Sequence, residues 1–314
     1  MGTMTREEWL AERKSGIGGS EAAAILGLSP WATAVNVWLD KTGRAAPQEE
    51  NEAMRIGTAL EQFVADRYCQ ETGRTVQKFN KMIHKGCLLG NFDRLVVPEG
   101  EKIASHMGEV RTDTVLECKT SSREWEDGVP LYYQTQVQHY MGLEPMLQHA
   151  DVACLFLGRK HFKVFRVERD QETISFMQAT LTDWWQKHII EGVMPQPTNE
   201  IDCKLLWARS HIGKTVDATE EIAEKVVKYA EAKATEKKIK EEAAALQSDI
   251  CVALGDAEVL LGLDGKPLVT WKSSKDSSKT DWEALARKLG ATDEMVAEFT
   301  TTSAGSRRFI LKAK

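Results

Sequence analysis

A chain of 314 residues, 42% of them hydrophobic, can build a substantial core, so disorder is not its default state. No apolar run approaches the roughly 20 residues of a membrane span, and a net charge of -6 argues against a broadly basic surface that coats nucleic acid, though not against a local basic channel. The six cysteines are scattered without a CxxC or Cys/His cluster, which argues against zinc and iron–sulfur sites and points to a reducing cytosol.

Met1–Thr5 leads straight into a charged helix, with no signal peptide, and Thr5–Lys14 carries a capping-box signal from Thr5 and Glu8. Gly16–Trp31 reads as a glycine-rich loop and a short Ala-rich helix ending near Gly27 and Pro30. Thr33–Thr42 is a second helix, stopped by Gly43, and Pro47–Glu52 a polar linker. Ala53–Thr72 is a long amphipathic helix closed by Gly73. The pattern then turns to strands: Val76–His84, Leu88–Val97 across a Lys85–Gly86 turn, and Asp113–Lys119. Tyr132–Leu143 is helical, Val152–Leu157 and Phe162–Val167 are paired strands, and Asp170–Glu191 is a helix ending at Gly192. This order predicts an α/β core over 1–198 with a mixed central sheet flanked by helices.

Composition shifts after Thr198, and 199–314 reads as a C-terminal extension packed on or beside the core. It holds a long Ala/Glu/Lys helix over Asp217–Gln247 and a hairpin of Val259–Leu261 and Leu268–Trp271 around Asp264-Gly265. A polar linker (Lys272–Lys279), a helix (Trp282–Leu289) and a last strand (Arg307–Lys312) follow.

The run VLECKTSS places Glu117 and Lys119 on one face of a strand and Cys118 on the other. Burying both charged heads costs several kcal/mol unless they pair or a metal holds them. The same spacing recurs at Asp202–Lys204, Glu231–Lys233, Glu236–Lys238 and Asp264–Lys266, but there it falls in loops, a charged helix or a turn. Only Glu117–Lys119 ends an apolar strand. Asp93, inside the apolar run LLGNFDRLVV, either caps a turn or pairs with Glu117 on the neighbouring strand. Such hard oxygen ligands suit Mg²⁺ or Mn²⁺, with the Cys118 carbonyl as a further ligand. Lys119 beside them can orient or deprotonate an attacking water. Glu61 borders the apolar stripe of its helix, and Gln136 shares a face with Tyr133, Val137 and Tyr140; a neutral amide can bond a phosphate or water without competing for the metal. Ser20, read as an N-cap after Gly18-Gly19, either simply caps its helix or, with Arg13 just upstream, forms an anion site. The run RKHFKVFRVER alternates as an exposed edge strand or a DNA-backbone track does.

The pieces RKSGIGGSEAAAILG, GTALEQ, GNFDR, LECKT and YYQTQVQHYMG occur in an order that resembles the YqaJ-type viral recombinases. These group with phage lambda exonuclease and alkaline exonucleases of the LHK-Exo type in the PD-(D/E)xK superfamily. The resemblance covers about Arg6 to Pro197 and implies the restriction-endonuclease-like fold. It implies an Mg²⁺-dependent 5′→3′ exonuclease that digests one strand of duplex DNA to mononucleotides and leaves a 3′ tail. Asp93, Glu117 and the Cys118 carbonyl would be metal ligands and Lys119 the catalytic lysine. Glu61 and Gln136 would support them, with Gln138 as the alternative amide. Arg13 and Ser20 would bind the 5′-phosphate of a double-stranded DNA end. A ring-shaped homotrimer, a single-strand annealing partner and a phage- or prophage-encoded origin in the host cytoplasm are implied as well. The competing readings are a structure-specific or restriction-like endonuclease, and a non-catalytic DNA-binding phage protein.

Overall fold

The computed structural model describes residues 11–46, 51–79, 81–100, 111–302, 307 and 309–311. The Thr5–Glu8 capping box and most of the Pro47–Glu52 linker lie outside them; Ala11–Arg13 are helical. The chain forms two units, Met1–Leu206 and Trp207–Lys314. The first runs past Thr198 because a helix there is pinned inward: buried Asp202 accepts from the Thr33 hydroxyl at 2.7 Å and from the Thr198 N–H at 2.8 Å.

The first unit is a mixed α/β layer structure. Helices α1 (Gly19–Ile25), α2 (Ala34–Lys41) and α3 (Glu52–Thr72) precede the strands. Four short strands follow: β1 (Val76–Lys78), β2 (Ile83–Lys85), β3 (Leu88–Gly90) and β4 (Arg94–Val96). Then come β5 (Thr114–Ser121), α4 (Leu131–Leu143), β6 (His149–Phe156), β7 (His161–Glu168) and α5 (Gln171–Trp185). The central sheet has the order β1-β4-β5-β6-β7. Only β5 and β6 run parallel, joined by the crossover helix α4; the other neighbours are antiparallel.

Strand alternation sorts the core onto two faces. Val115 and Val152 pack under α4 and α5 with Val137, Met141 and Ile174. Leu116 and Ala153 pack under α3 with Val64, Ala65 and Tyr68. On this second face the buried Asp151 accepts from the Tyr68 hydroxyl at 2.6 Å, from Arg74 at 3.0 Å and from Arg166 at 2.9 Å, tying α3 to β6 and β7.

Two expected long strands are each broken in two. β2 and β3 form a separate hairpin around Gly86, whose φ of +61° is left-handed. β1 and β4 instead belong to the main sheet. The second break falls at 91–93, so Asp93 sits in the bend that carries the chain from hairpin to sheet, not inside a strand. The hairpin also holds the N-terminal loop: Ile17 donates to the Cys87 carbonyl and accepts from the Leu89 N–H. The helix expected over Asp170–Glu191 is α5 followed by a π-helical turn, Gln186–Ile190. Helix α6 (Glu200–Leu206) was not anticipated.

In the second unit, α7 (Glu220–Leu254) is capped by Thr219 and runs beyond the expected Gln247, because no breaker occurs before Gly255. The hairpin β8 (Val259–Leu261) and β9 (Pro267–Thr270) turns at Asp264-Gly265 as expected. Helices α8 (Trp282–Lys288) and α9 (Asp293–Glu298) follow. The expected strand Arg307–Lys312 lies partly outside the described residues, and Arg307 and Phe309–Leu311 are not in a strand. Among the described residues no helix is long and apolar enough to cross a membrane.

Candidate active site

The site is built where β5 meets the break before β4 and the start of α4. The β4–β5 register sets Arg94 against Leu116, which brings Asp93 opposite Glu117. Asp93 Oδ2 accepts the Cys118 N–H at 2.8 Å, so the backbone of β5 holds this carboxylate in place. Glu117 is 2% exposed. Its Oε1 accepts from Lys119 Nζ at 2.6 Å and from Gln136 Nε2 at 2.7 Å. Gln136 closes the network by accepting from Lys119 at 3.2 Å and donating to the Tyr140 hydroxyl at 2.8 Å.

The electrostatics are those of two carboxylates forced together. Burial, reinforced by repulsion from Glu117, pushes the Asp93 carboxyl up to about 8. Burial alone would lower Lys119, but the Glu117 and Asp93 carboxylates outweigh it and raise the ammonium above its ordinary value. The Cys118 thiol, on the opposite sheet face, is pushed up mainly by burial and stays a thiol; only its backbone carbonyl suits a hard cation.

Among the described residues no three His, Cys, Asp or Glu side chains form a ready cation cage. The fit to Mg²⁺ or Mn²⁺ rests on a different observation: Glu117 Oε2 is buried and has no hydrogen-bond partner. A buried carboxylate oxygen left unpaired costs free energy that a cation would offset. Asp93, Glu117 and the Cys118 carbonyl therefore offer a donor set of the right chemistry, all oxygen.

Glu61 is oriented by a residue that the sequence reasoning passed over. Buried Arg94 donates to Glu61 Oε1 at 2.6 Å, to the Asp93 carbonyl at 2.6 Å and to Gln62 at 3.0 Å. Arg94 thus links Glu61 to the Asp93 backbone; its signal was an arginine directly following an acid in an apolar run. Gln136 faces the site, whereas Gln138 donates to the Glu168 carbonyl and accepts the Asp170 N–H, stitching α4 to the chain between β7 and α5.

The N-terminal loop differs from expectation. The N-cap of α1 is Gly18, whose N–H donates to Glu21 Oε2 at 2.8 Å, and Ser20 lies in the first turn of a helix of only 7 residues. Ser20 nevertheless sits beside Arg13, which donates to its hydroxyl at 3.4 Å and to Glu21 at 3.2 Å. Lys41, absent from the sequence reading, donates to Glu21 and to the Arg13 carbonyl. Arg13 and Lys41 thus converge on Glu21 in one corner, with the Lys41 side chain fully buried. This corner adjoins the carboxylate site through Gly19, where a Cβ would come within 2.7 Å of Tyr140 and 3.1 Å of Gln136. Only glycine lets α1 approach α4 this closely.

Strand β7, the basic edge strand, spends part of its charge locally. Lys163, His161 and the neighbouring Arg159 all pair with Glu124, and Arg166 pairs with Asp151.

A model of the YqaJ-like viral recombinase domain matches residues 8–143, a span holding every site residue named above. YqaJ of Bacillus subtilis (strain 168) is 34% identical over 283 residues, covering 86% of this chain and 84% of the relative. The chain belongs to the YqaJ-like viral recombinase family. Among solved structures, the alkaline exonuclease LHK-Exo from Laribacter hongkongensis aligns with a TM-score of 0.45 at 20% identity, over 59% of this chain and 93% of that one. A phage-related exonuclease from Haemophilus somnus 129PT aligns at 0.42 and 13% identity, over 57% of this chain and 96% of that one.

Proposed function

We propose that this recombinase is a metal-dependent 5′→3′ exonuclease acting on double-stranded DNA ends, releasing 5′-mononucleotides and leaving 3′ single-stranded tails. The observation that carries the proposal is the buried Asp93–Glu117–Lys119–Gln136 network with its unpartnered Glu117 oxygen. Mg²⁺ (or Mn²⁺), held by Asp93, Glu117 and the Cys118 carbonyl, would supply Lewis-acid stabilisation of charge developing on the phosphate.

The chain's own residues do the rest. The raised Lys119 keeps its proton at neutral pH, which favours an orienting and charge-stabilising role over that of a base. Gln136 holds Glu117 in position and presents an amide to the substrate without adding charge. Arg94 fixes Glu61 at the edge of the site. Arg13 and Ser20 would bind a terminal 5′-phosphate, with Glu21 orienting the Arg13 guanidinium.

Family membership supports the remaining parts of the proposal: a homotrimeric ring around DNA, a single-strand annealing protein as partner, and work in the cytoplasm of a phage-bearing host. An exonuclease needs an end. A covalently closed duplex circle should therefore survive while its linear form is digested in Mg²⁺, with label lost first from the 5′ terminus. Rapid linearisation of the circle would instead identify an endonuclease, and loss of 3′ label first would reverse the polarity.

A further inference from the structure

Trp31 lies in the loop between α1 and α2, and its side chain serves neither the core nor the carboxylate network. It is 69% exposed. Exposed tryptophans in loops are ordinarily free to move, but this one is braced. The Ser29 hydroxyl accepts the N–H groups of both Trp31 and Ala32 at 3.3 Å, fixing the backbone. The indole stands edge-on to Tyr132 at 4.7 Å and tilted over Tyr133 at 6.1 Å. Tyr132 and Tyr133 meet at 4.5 Å, and Trp125 backs Tyr133 at 5.4 Å. An aromatic side chain held on its edge, with most of its surface bare, is presented for something flat.

The other end of this ring cluster identifies what that is. Lys119 Nζ lies 4.6 Å from the Tyr133 ring centre, so one tyrosine separates the exposed indole from the lysine of the carboxylate network. Both tyrosines open α4, the helix that supplies Gln136. A flat group on Trp31 is therefore a near neighbour of whatever lies against Lys119. For a DNA substrate with its phosphate at Lys119, the flat groups at that range are its own bases. Inside a duplex those bases are stacked on one another, so only a base at the end, paired or unpaired, can turn its face to the indole.

From this we infer that Trp31 is a base-stacking platform that takes a terminal nucleobase at the DNA end and so positions the adjoining phosphate. Tyr132 and Tyr133 act as its props. The inference rests on the nuclease reading of the site and adds a binding residue to it. Stacking on an aromatic side chain contributes about 1–3 kcal/mol per base and is indifferent to base identity, which suits an enzyme that must step through any sequence.

The test is a binding cycle in EDTA, where no cleavage occurs. Two linear duplexes are compared, one with ordinary ends and one whose terminal nucleotides on both strands are abasic. Wild type should bind the ordinary end more tightly by roughly 5- to 150-fold, the range that stacking energies imply. Trp31→Ala should bind both equally, at the weaker level, and Trp31→Phe should recover most of the preference. In Mg²⁺, Trp31→Ala should raise KM more than it lowers kcat. A Trp31→Ala protein that still prefers the ordinary end as wild type does would overturn the inference and leave the nuclease reading standing. A wild type that binds neither DNA end, and cuts none in Mg²⁺, would overturn both.

Discussion

Asp93 shows most directly how a residue's surroundings set its chemistry. In water a carboxyl of this kind titrates near 3.9. Here burial and the facing Glu117 push it to about 8. The folded, metal-free protein therefore holds a proton that the unfolded chain releases between those two values. Stability must then fall as pH rises through that window. In EDTA, the melting temperature of wild type should drop between pH 6 and pH 8, and Asp93→Asn should flatten that slope. An unchanged slope in the variant would remove Asp93 as its source. The two glutamines of α4 separate just as sharply. Gln136→Ala should cost activity by about 10²-fold with the fold intact, since it deletes a bond aimed at the site. Gln138→Ala should chiefly lower stability, because its partners are the Glu168 carbonyl and the Asp170 N–H. Rates measured at equal folded fraction distinguish the two.

At the scale of elements, the two faces of β5 divide the labour. Glu117 and Lys119 point to the chemistry, while Leu116 and Cys118 pack under α3. That division was legible in the sequence, because period-two alternation is a local property of a strand. The helices α3 and α4 were legible for the same reason, at a period of 3.6. The breaks between β1 and β2 and at 91–93 were not. Each apolar run reads as continuous, and what splits it is the choice of partner: β2 and β3 pair with each other while β1 and β4 join the main sheet. Partner choice is a tertiary fact that no local window holds. Arg94, Glu21 and Lys41 escaped notice likewise, since their roles depend on neighbours distant in sequence: Arg94 on Glu61, and Lys41 on Glu21. Asp151 is the structural counterpart of the site on the α3 face. Asp151→Ala leaves the buried Tyr68 hydroxyl with no acceptor for its proton, keeping only the Arg74 donor, which should lower stability by about 1–3 kcal/mol. The two guanidinium groups retain water and add little. Chemical denaturation measures this loss, and a value near zero would mean that the cluster does not brace the sheet.

At the scale of the molecule, net charge alone does not decide whether an acidic chain can take a DNA substrate, because a local cluster of cations can receive phosphate. The chain bears a formal net charge of -6, and Arg13 and Lys41 gather around Glu21 beside the carboxylate network. The second unit, with its long α7, stood out in the sequence as a change of composition, and its hairpin was set by Asp264-Gly265. Its helix end was misjudged because the 248–254 segment continues a helix without the Ala/Glu/Lys bias that marked the rest. The central claim concerns the first unit: the paired acids and Lys119 form a hydrolytic centre and not an ion pair that merely stabilises a strand. The decisive measurement is release of 5′-labelled mononucleotides from linear duplex DNA in Mg²⁺, by wild type and by Lys119→Ala at matched folded fraction. The account predicts that wild type releases them, that EDTA stops it, and that the variant, still folded and still binding DNA, is slower by at least about 10²-fold. Undiminished release by the variant, or none by folded wild type with either Mg²⁺ or Mn²⁺, would contradict it.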